Sequence, residues 1–411
     1  MPAQPDGQQW SEDGHLDPVE VGPTHRHLSM YVHVPFCTVR CGYCDFNTYT
    51  ADFGQGANRA SYHHSVGKEI ELAANVLANF PTRALHSVFF GGGTPTLLGC
   101  AQLGSILSEL RRHFALEDDC EVTVEANPDT VDEDALKQLR EAGFTRVSFG
   151  MQSADRQVLA RLDRTHDPER IDYVVQAAKK AGLDTSLDLI YGTPGESLAQ
   201  WQASLEAALA AQPDHISTYA LVVEPGTAMW KALERRQMPA VDEDEQAEKY
   251  ELADRVLSAA GYAWYEISNW ARMEPGEEGG TTGLKHASKH NLAYWADADW
   301  WGIGPGAHSH LGAARWWNRK HPLAWLRSLQ AGKSPAQAGE FLTRWERELE
   351  FVMLGIRTAD GLQVAQLPAE GKDKVESLVE EGLLELNAQG RVRLTLRGRL
   401  LADYVTRELT A

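Results

Sequence analysis

The sequence predicts an α/β fold in three parts: a core of six strand-then-helix units on a parallel sheet, an aromatic-rich segment, and a C-terminal α+β module with a winged-helix-like order of elements. Three observations predict it. First, stretches of period-2 apolar residues alternate with stretches of helical period from Ser29 to Ala260. That is the pattern of parallel strands joined by crossover helices, either doubly wound or closed toward a barrel. Second, residues that break regular structure or carry chemistry come just after the strands, where the site of either architecture lies. Third, composition changes after Gly261, and eight of the twelve tryptophans fall between Trp264 and Trp325, a density that suggests a flat aromatic surface or pocket.

Taken in order, residues 1–27 are rich in Pro, Gln, Gly, Asp and His, with neither a basic nor an apolar run. They read as a disordered leader and not as a signal peptide. The core spans 28–262. Its first strand, Ser29–Phe36, alternates Met30, Val32, Val34 and Phe36 with Ser29, Tyr31 and His33, and Pro35 closes it. A helix over 60–80 ends before Pro81, and strand His86–Phe90 is broken by Gly91-Gly92-Gly93-Thr94-Pro95. The pattern continues with helix 100–114, strand Glu121–Glu125, helix 132–142, strand Thr145–Gly150, and helical pieces at 154–162 and 168–181. Strand Asp184–Ile190, helix 197–211, strand His215–Leu221 and helix 243–260 complete it. Residues 263–335 form the aromatic-rich segment, with a Gly/Glu-rich loop at Glu274–Gly283. In 336–411 three helices precede a hairpin (Leu383–Leu386, turn Asn387-Ala-Gln-Gly390, Val392–Leu396) and a last helix.

Charge limits the partners. Lys and Arg number 39 against 58 Asp and Glu, a formal charge of −19, which repels phosphate backbones and anionic membranes. Residues 341–411 hold ten Lys and Arg against twelve Asp and Glu, net −2. The winged-helix-like module therefore reads as a cover for protein or ligand and not as a duplex reader, and no nucleic-acid partner is expected. Of five cysteines, Cys100 and Cys120 stand apart from the other three; this is no disulfide framework and points to a reducing cytoplasm. No apolar run approaches the roughly 20 residues that span a bilayer.

The other three cysteines form Cys37-x3-Cys41-x2-Cys44, directly after the first strand. Iron–sulfur cubes are ordinarily held by four cysteines, so three thiolates on one loop would bind a [4Fe–4S] cluster with one open iron. A structural zinc site is the alternative. It needs a fourth ligand, for which His33 in the strand is the near candidate.

These residues resemble the signature of the radical S-adenosylmethionine (SAM) superfamily, with Tyr43 as the aromatic residue before the last cysteine. The resemblance implies a partial (β/α)6 barrel of radical SAM type. It also implies an open iron that chelates the methionine part of SAM, and an electron from the reduced cluster that can cleave the sulfonium to a 5′-deoxyadenosyl radical. The contexts GGGTP, VEANPD, SFGMQS, RLDRTH and LDLIYGTPG extend it to the coproporphyrinogen III oxidase-like subfamily. By that likeness Tyr31, Tyr43, Gly92, Gly93, Thr94, Glu125, Gln152, Arg164, Asp188 and Ala220 contact SAM, at one site or two. Bare N–H groups of the glycine turn would suit a carboxylate, as would Arg164, and carboxylates suit ribose hydroxyls.

Two features choose within the subfamily. The oxidases carry a further cysteine two residues after the last ligand, where this chain has Phe46, and His290-Asn291-Leu292-Ala293-Tyr294-Trp295 matches the HNxxYW motif of the haem chaperones. The resemblance is therefore closest to the HemW haem chaperones. It implies haem bound through His290, Asn291, Tyr294 and Trp295, with His308 and His310 as second-choice ligands, and no separate catalytic residue. It further implies haem-accepting apoproteins, an electron donor such as flavodoxin or ferredoxin, and membrane association only through partners. The alternative is an oxygen-independent coproporphyrinogen III oxidase. The leader and the Glu/Gly-rich insertion before His290 depart from the family pattern.

Overall fold

The computed structural model describes residues 6–24, 26–277, 279–281 and 283–410. Thirteen strands form the main sheet: β1 (Gln8–Gln9), β2 (Leu28–Val34), β3 (Leu85–Gly92), β4 (Leu116–Ala126), β5 (Arg146–Gln152), β6 (Asp184–Tyr191), β7 (His215–Ala220), β8 (Tyr262–Glu266), β9 (Asn269–Arg272), β10 (Asp299–Ile303), β11 (His308–Leu311), β12 (Ala314–Asn318) and β13 (Ala336–Phe341). Their order in space is β1-β13-β12-β11-β10-β2-β3-β4-β5-β6-β7-β9-β8. The six expected parallel strands are β2 to β7, adjacent and in chain order, and the sheet stays open, as a partial barrel does.

Period 2 explains the two faces. Met30, Val32, Val88, Phe90, Val122, Val124, Val147, Phe149, Leu187 and Ile216 point to the outer helices and are at most 1% exposed. The alternate positions that pair across the inner face are polar: Ser29 with Ser87, Glu125 with Ser148, Ser148 with Ser186, Asp188 with Ser217. Such a face cannot be a closed core and must surround a ligand or a polar insert. It holds an insert at the strands' N-terminal half, where Arg146 donates to the carbonyls of His286 (3.0 Å) and Ala287 (3.2 Å). Glu121 accepts the backbone N–H of Lys289 and of His290, both at 3.1 Å, at the start of helix Lys289–Trp295. Residues Leu284–Trp295 thereby make a floor under the inner face.

Three boundaries differ from the sequence expectation. Residues 263–335 are not a separate aromatic layer: β8 and β9 extend the sheet beyond β7, and β10 adds a further parallel strand beside β2. Their tryptophans Trp270, Trp301, Trp316 and Trp325 belong to the main core. β13 likewise pairs with β12, so the C-terminal module starts at helix Arg344–Gly355 and not at 336. It has its own core, with Val352, Ile356, Leu378, Val392 and Val405, and a small sheet Leu362–Gln363, Arg391–Leu394, Leu384–Leu386.

The leader expected to be disordered is ordered over residues 6–24. β1 pairs with β13, Trp10 stacks on Trp316 (5.7 Å) and Phe341 (5.5 Å), and Leu16 and Val21 are buried. Its few apolar residues each fill a place on the sheet edge, so low mean hydropathy did not prevent folding. Among the described residues no helix is long and apolar enough to cross a membrane.

Candidate cofactor site

The C-terminal ends of β2 to β7 open into one cavity of about 720 Å³. It is lined by Cys37, Cys41, Tyr43, Cys44, Gly92, Gly93, Thr94, Glu125, Gln152, Arg164, Asp188 and Ala220. All three expected cluster ligands and nine of the ten expected SAM contacts thus meet on one wall or another. The tenth, Tyr31, lies outside that lining on the same face, its hydroxyl 3.0 Å from His33 Nδ1. The floor residues Ser288 and Asn291 close the cavity below, with Arg146 and His215 beside them.

The three sulfurs are not gathered as a single tetrahedral metal would hold them. One tetrahedral zinc with Zn–S near 2.3 Å would bring sulfurs to about 3.8 Å. Among the described residues, the groups whose donor atoms all lie within 4.8 Å are His27–His86–Glu117 and Asp184–Asp214–His286, not the three cysteines. The hydroxyls of Thr48 and Thr94 face Cys37, whose thiol burial pushes up to about 11; bound iron is what would hold it as thiolate.

The glycine turn acts differently from the expectation. Its N–H groups are not bare: Gly93 donates to Val34 O and Thr94 to Phe36 O, each at 2.8 Å, and Gly92 donates to Glu125 Oε2 at 3.1 Å. The turn is instead stitched to the end of β2. A Cβ on Gly93 would sit 2.4 Å from Phe36 O, so only glycine permits the approach that places Cys37 beside Thr94. Asn47, just beyond the cysteines, ties the loop outward by donating to Pro305 O and Lys320 O, each at 2.8 Å.

Opposite the cysteines, burial pushes Glu125 up to about 8, reinforced by the Asp188 carboxylate and opposed by the Gly92 N–H. Burial raises Asp188 too, against the hydroxyls of Ser148 (2.7 Å) and Ser217. Arg164 donates to Gly150 O at 3.0 Å, and its buried Nε has no partner among the described residues. Gln152 holds φ +61, a strained conformation that turns its side chain into the cavity. Two buried carboxyls facing an unsatisfied guanidinium suit a ligand bearing both a cation and a carboxylate. Sequence reasoning missed Thr123, Ser148, Ser186, Ser217 and His215, which also line the cavity; polar residues at every second strand position were their signal.

HNxxYW lies on a helix, but its residues part company. Asn291 lines the main cavity, while Asn291, Tyr294 and Trp295 line a second one of about 250 Å³ against Glu266, Tyr219 and Leu354 of the C-terminal module. His290 lines neither. It is 2% exposed, stacked on Phe89 at 4.9 Å, with Nδ1 2.8 Å from Ser87 Oγ and Nε2 3.0 Å from Tyr294 Oη. Burial lowers its pKa to about 3.

An open parallel sheet whose first loop carries three cysteines over such a cavity defines a radical SAM protein. Sequence comparison agrees: the Radical SAM superfamily model matches residues 31–208, and the HemN C-terminal domain model residues 342–401. The haem chaperone HemW of Mycobacterium tuberculosis is 45% identical over 383 residues, covering 93% of this chain and 94% of the relative. That of Bacillus subtilis is 33% identical, covering 92% and 97%. The mitochondrial radical S-adenosyl methionine domain-containing protein 1 of Bos taurus is 31% identical, covering 94% and 88%. Coproporphyrinogen III oxidase (HemN) from Escherichia coli shares the fold, with TM-score 0.79 at 24% identity over 97% of this chain and 94% of that one. The chain belongs to the HemW family.

Proposed function

We propose that this chain is a radical-SAM-type haem chaperone of the cytoplasm: it binds a [4Fe–4S] cluster, SAM and haem, and hands the haem to acceptor apoproteins. Its similarity to proteins named haem chaperones over 93% of its length carries the reading, and the shared cavity supports it. Cys37, Cys41 and Cys44 hold the cluster, which when reduced supplies one-electron chemistry to SAM. Arg164 takes the SAM carboxylate, and Glu125 and Asp188 the amine and ribose. The polar inner face orients the nucleotide, and the floor excludes water from below. Phe46, where the oxidases have a cysteine, is 57% exposed at the cavity mouth with Val39 and Val222; an apolar rim suits a porphyrin or a docking acceptor.

The test is an anaerobic transfer assay. Reconstituted protein loaded with one haem should pass it to an apo-acceptor, followed by the acceptor's absorption spectrum, in the presence of SAM and a reduced flavodoxin or ferredoxin. Failure to bind haem at all, or conversion of coproporphyrinogen III to a vinyl product in the same mixture, would replace this reading with another.

A further inference from the structure

At the N-terminal ends of the strands, the opposite end of the sheet from the cysteine loop, three metal-ligating side chains converge. His27 stands one residue before β2, His86 is the second residue of β3, and Glu117 the second of β4. Nδ1 of His27 lies 3.2 Å from Glu117 Oε1, and Nδ1 of His86 lies 2.8 Å from Glu117 Oε2. The two rings stack at 4.0 Å and 29°. None of the three lines the cofactor cavity.

The strands leave their regular register to bring these residues together. Leu28 pairs with Leu85 and Ser29 with Ser87, so His86 is an extra residue with no partner on β2. On its other side Leu85 pairs with Leu116 and Ser87 with Glu121, so residues 117–120 of β4 are in excess. Such bulges re-aim a side chain that a regular ladder would point elsewhere. His27 is fixed through its backbone: Arg83 donates to Arg26 O at 2.9 Å, and the Asp299 N–H to His27 O at 3.0 Å.

The other group of close donors, Asp184–Asp214–His286, is already saturated. Arg272 reaches Asp214 at 2.6 Å, Arg146 stands 3.8 Å from Asp184, and His286 has Asp184 on one nitrogen (3.3 Å) and Glu274 on the other (2.9 Å). Glu117 differs. Among the described residues its only ion-pair partners are the two imidazoles, and neither Nε2 has a hydrogen-bond partner. Two imidazoles and a carboxylate that no lysine or arginine neutralises are a donor set for a borderline divalent ion. Around tetrahedral zinc, nitrogen and oxygen ligands stand about 3.4 Å apart, so an ion enters this group with shifts of about half an ångström or less. The His27 side chain is 59% exposed, which leaves an entry path and room for a water in the fourth position.

We propose that His27, His86 and Glu117 form a binding site for one zinc-type divalent ion, separate from the cysteine loop, which pins the entry of β2 to β3 and β4.

The test adds Zn(II) to the full chain with its cysteine loop already loaded, and reads calorimetry together with X-ray absorption at the zinc edge. One ion should bind, with nitrogen and oxygen at about 2.0–2.1 Å, imidazole outer-shell scattering and no sulfur. His27→Ala, His86→Ala and Glu117→Gln should each weaken binding at least about tenfold. His27 is exposed, so its replacement leaves the fold intact, and His27→Cys should introduce one sulfur at about 2.3 Å. No zinc bound by the wild-type protein, a sulfur shell in the wild-type spectrum, or unchanged affinity in His27→Ala would each overturn the proposal.

Discussion

Glu125 shows how a single carboxyl can record ligand chemistry. Its pKa of about 8 comes from burial first and the Asp188 charge second. Because that value lies above the ordinary 4.5, the folded cofactor-free protein binds this proton more tightly than the unfolded chain does. Glu125 thus stabilises the fold below about pH 4.5, and the contribution is lost as pH rises through about 8. A sulfonium or amine placed beside it favours the ionised form and expels the proton. SAM binding near pH 7 should therefore release close to one proton and tighten toward pH 8. Calorimetry in two buffers of different ionisation enthalpy measures this, and Glu125→Gln should abolish the buffer dependence. At this scale most of the residues singled out in the sequence line one cavity, since most of these lie at or near the C-terminal end of a parallel strand. It could not show that His290 faces inward, because a seven-residue helix with apolar or aromatic residues on both faces does not reveal from its letters which face is buried.

Elements β2 to β7 were legible because each is long, alternating and followed by a break; β8 to β13 were not. Those strands are four to six residues long, too short for periodicity to separate from turn, and their tryptophans suggest surface when most are core. The floor is likewise illegible: it depends on Glu121, whose partners in the floor lie 167 to 169 residues away. Glu121 is 6% exposed, accepts the first N–H groups of helix Lys289–Trp295, and pairs with Arg146 Nε at 3.1 Å. Removing it takes from a buried guanidinium its nearest carboxylate and leaves the helix donors without their acceptor. Glu121→Ala should cost about 3–5 kcal/mol in urea unfolding, and hydrogen exchange should rise first in residues 284–295. Glu121→Gln, which keeps the acceptor, should lose less.

For the molecule as a whole, the leader is the clearest departure from expectation. Composition alone ranks it with disordered segments, yet Trp10 fills a slot made by residues more than 300 positions later, which no local pattern reveals. Trp10→Ala should cost about 3–5 kcal/mol and expose the β13 edge, seen as a lower urea midpoint with the cluster spectrum unchanged. Asn47 joins two distant regions. Its side chain spans the carbonyls of Pro305 and Lys320, Tyr49 Oη adds a bond to the latter at 3.2 Å, and β11 and β12 lie between those carbonyls in the chain. This tie-rod makes the cysteine hairpin and the outward strands a single mechanical linkage, so a jolt at one end is felt at the other. Stripping the iron should then loosen residues 304–320 along with the loop itself, and exchange measured on loaded and emptied protein will register both. Asn47→Ala should uncouple them, leaving a protein whose outer strands no longer know whether the metal is home.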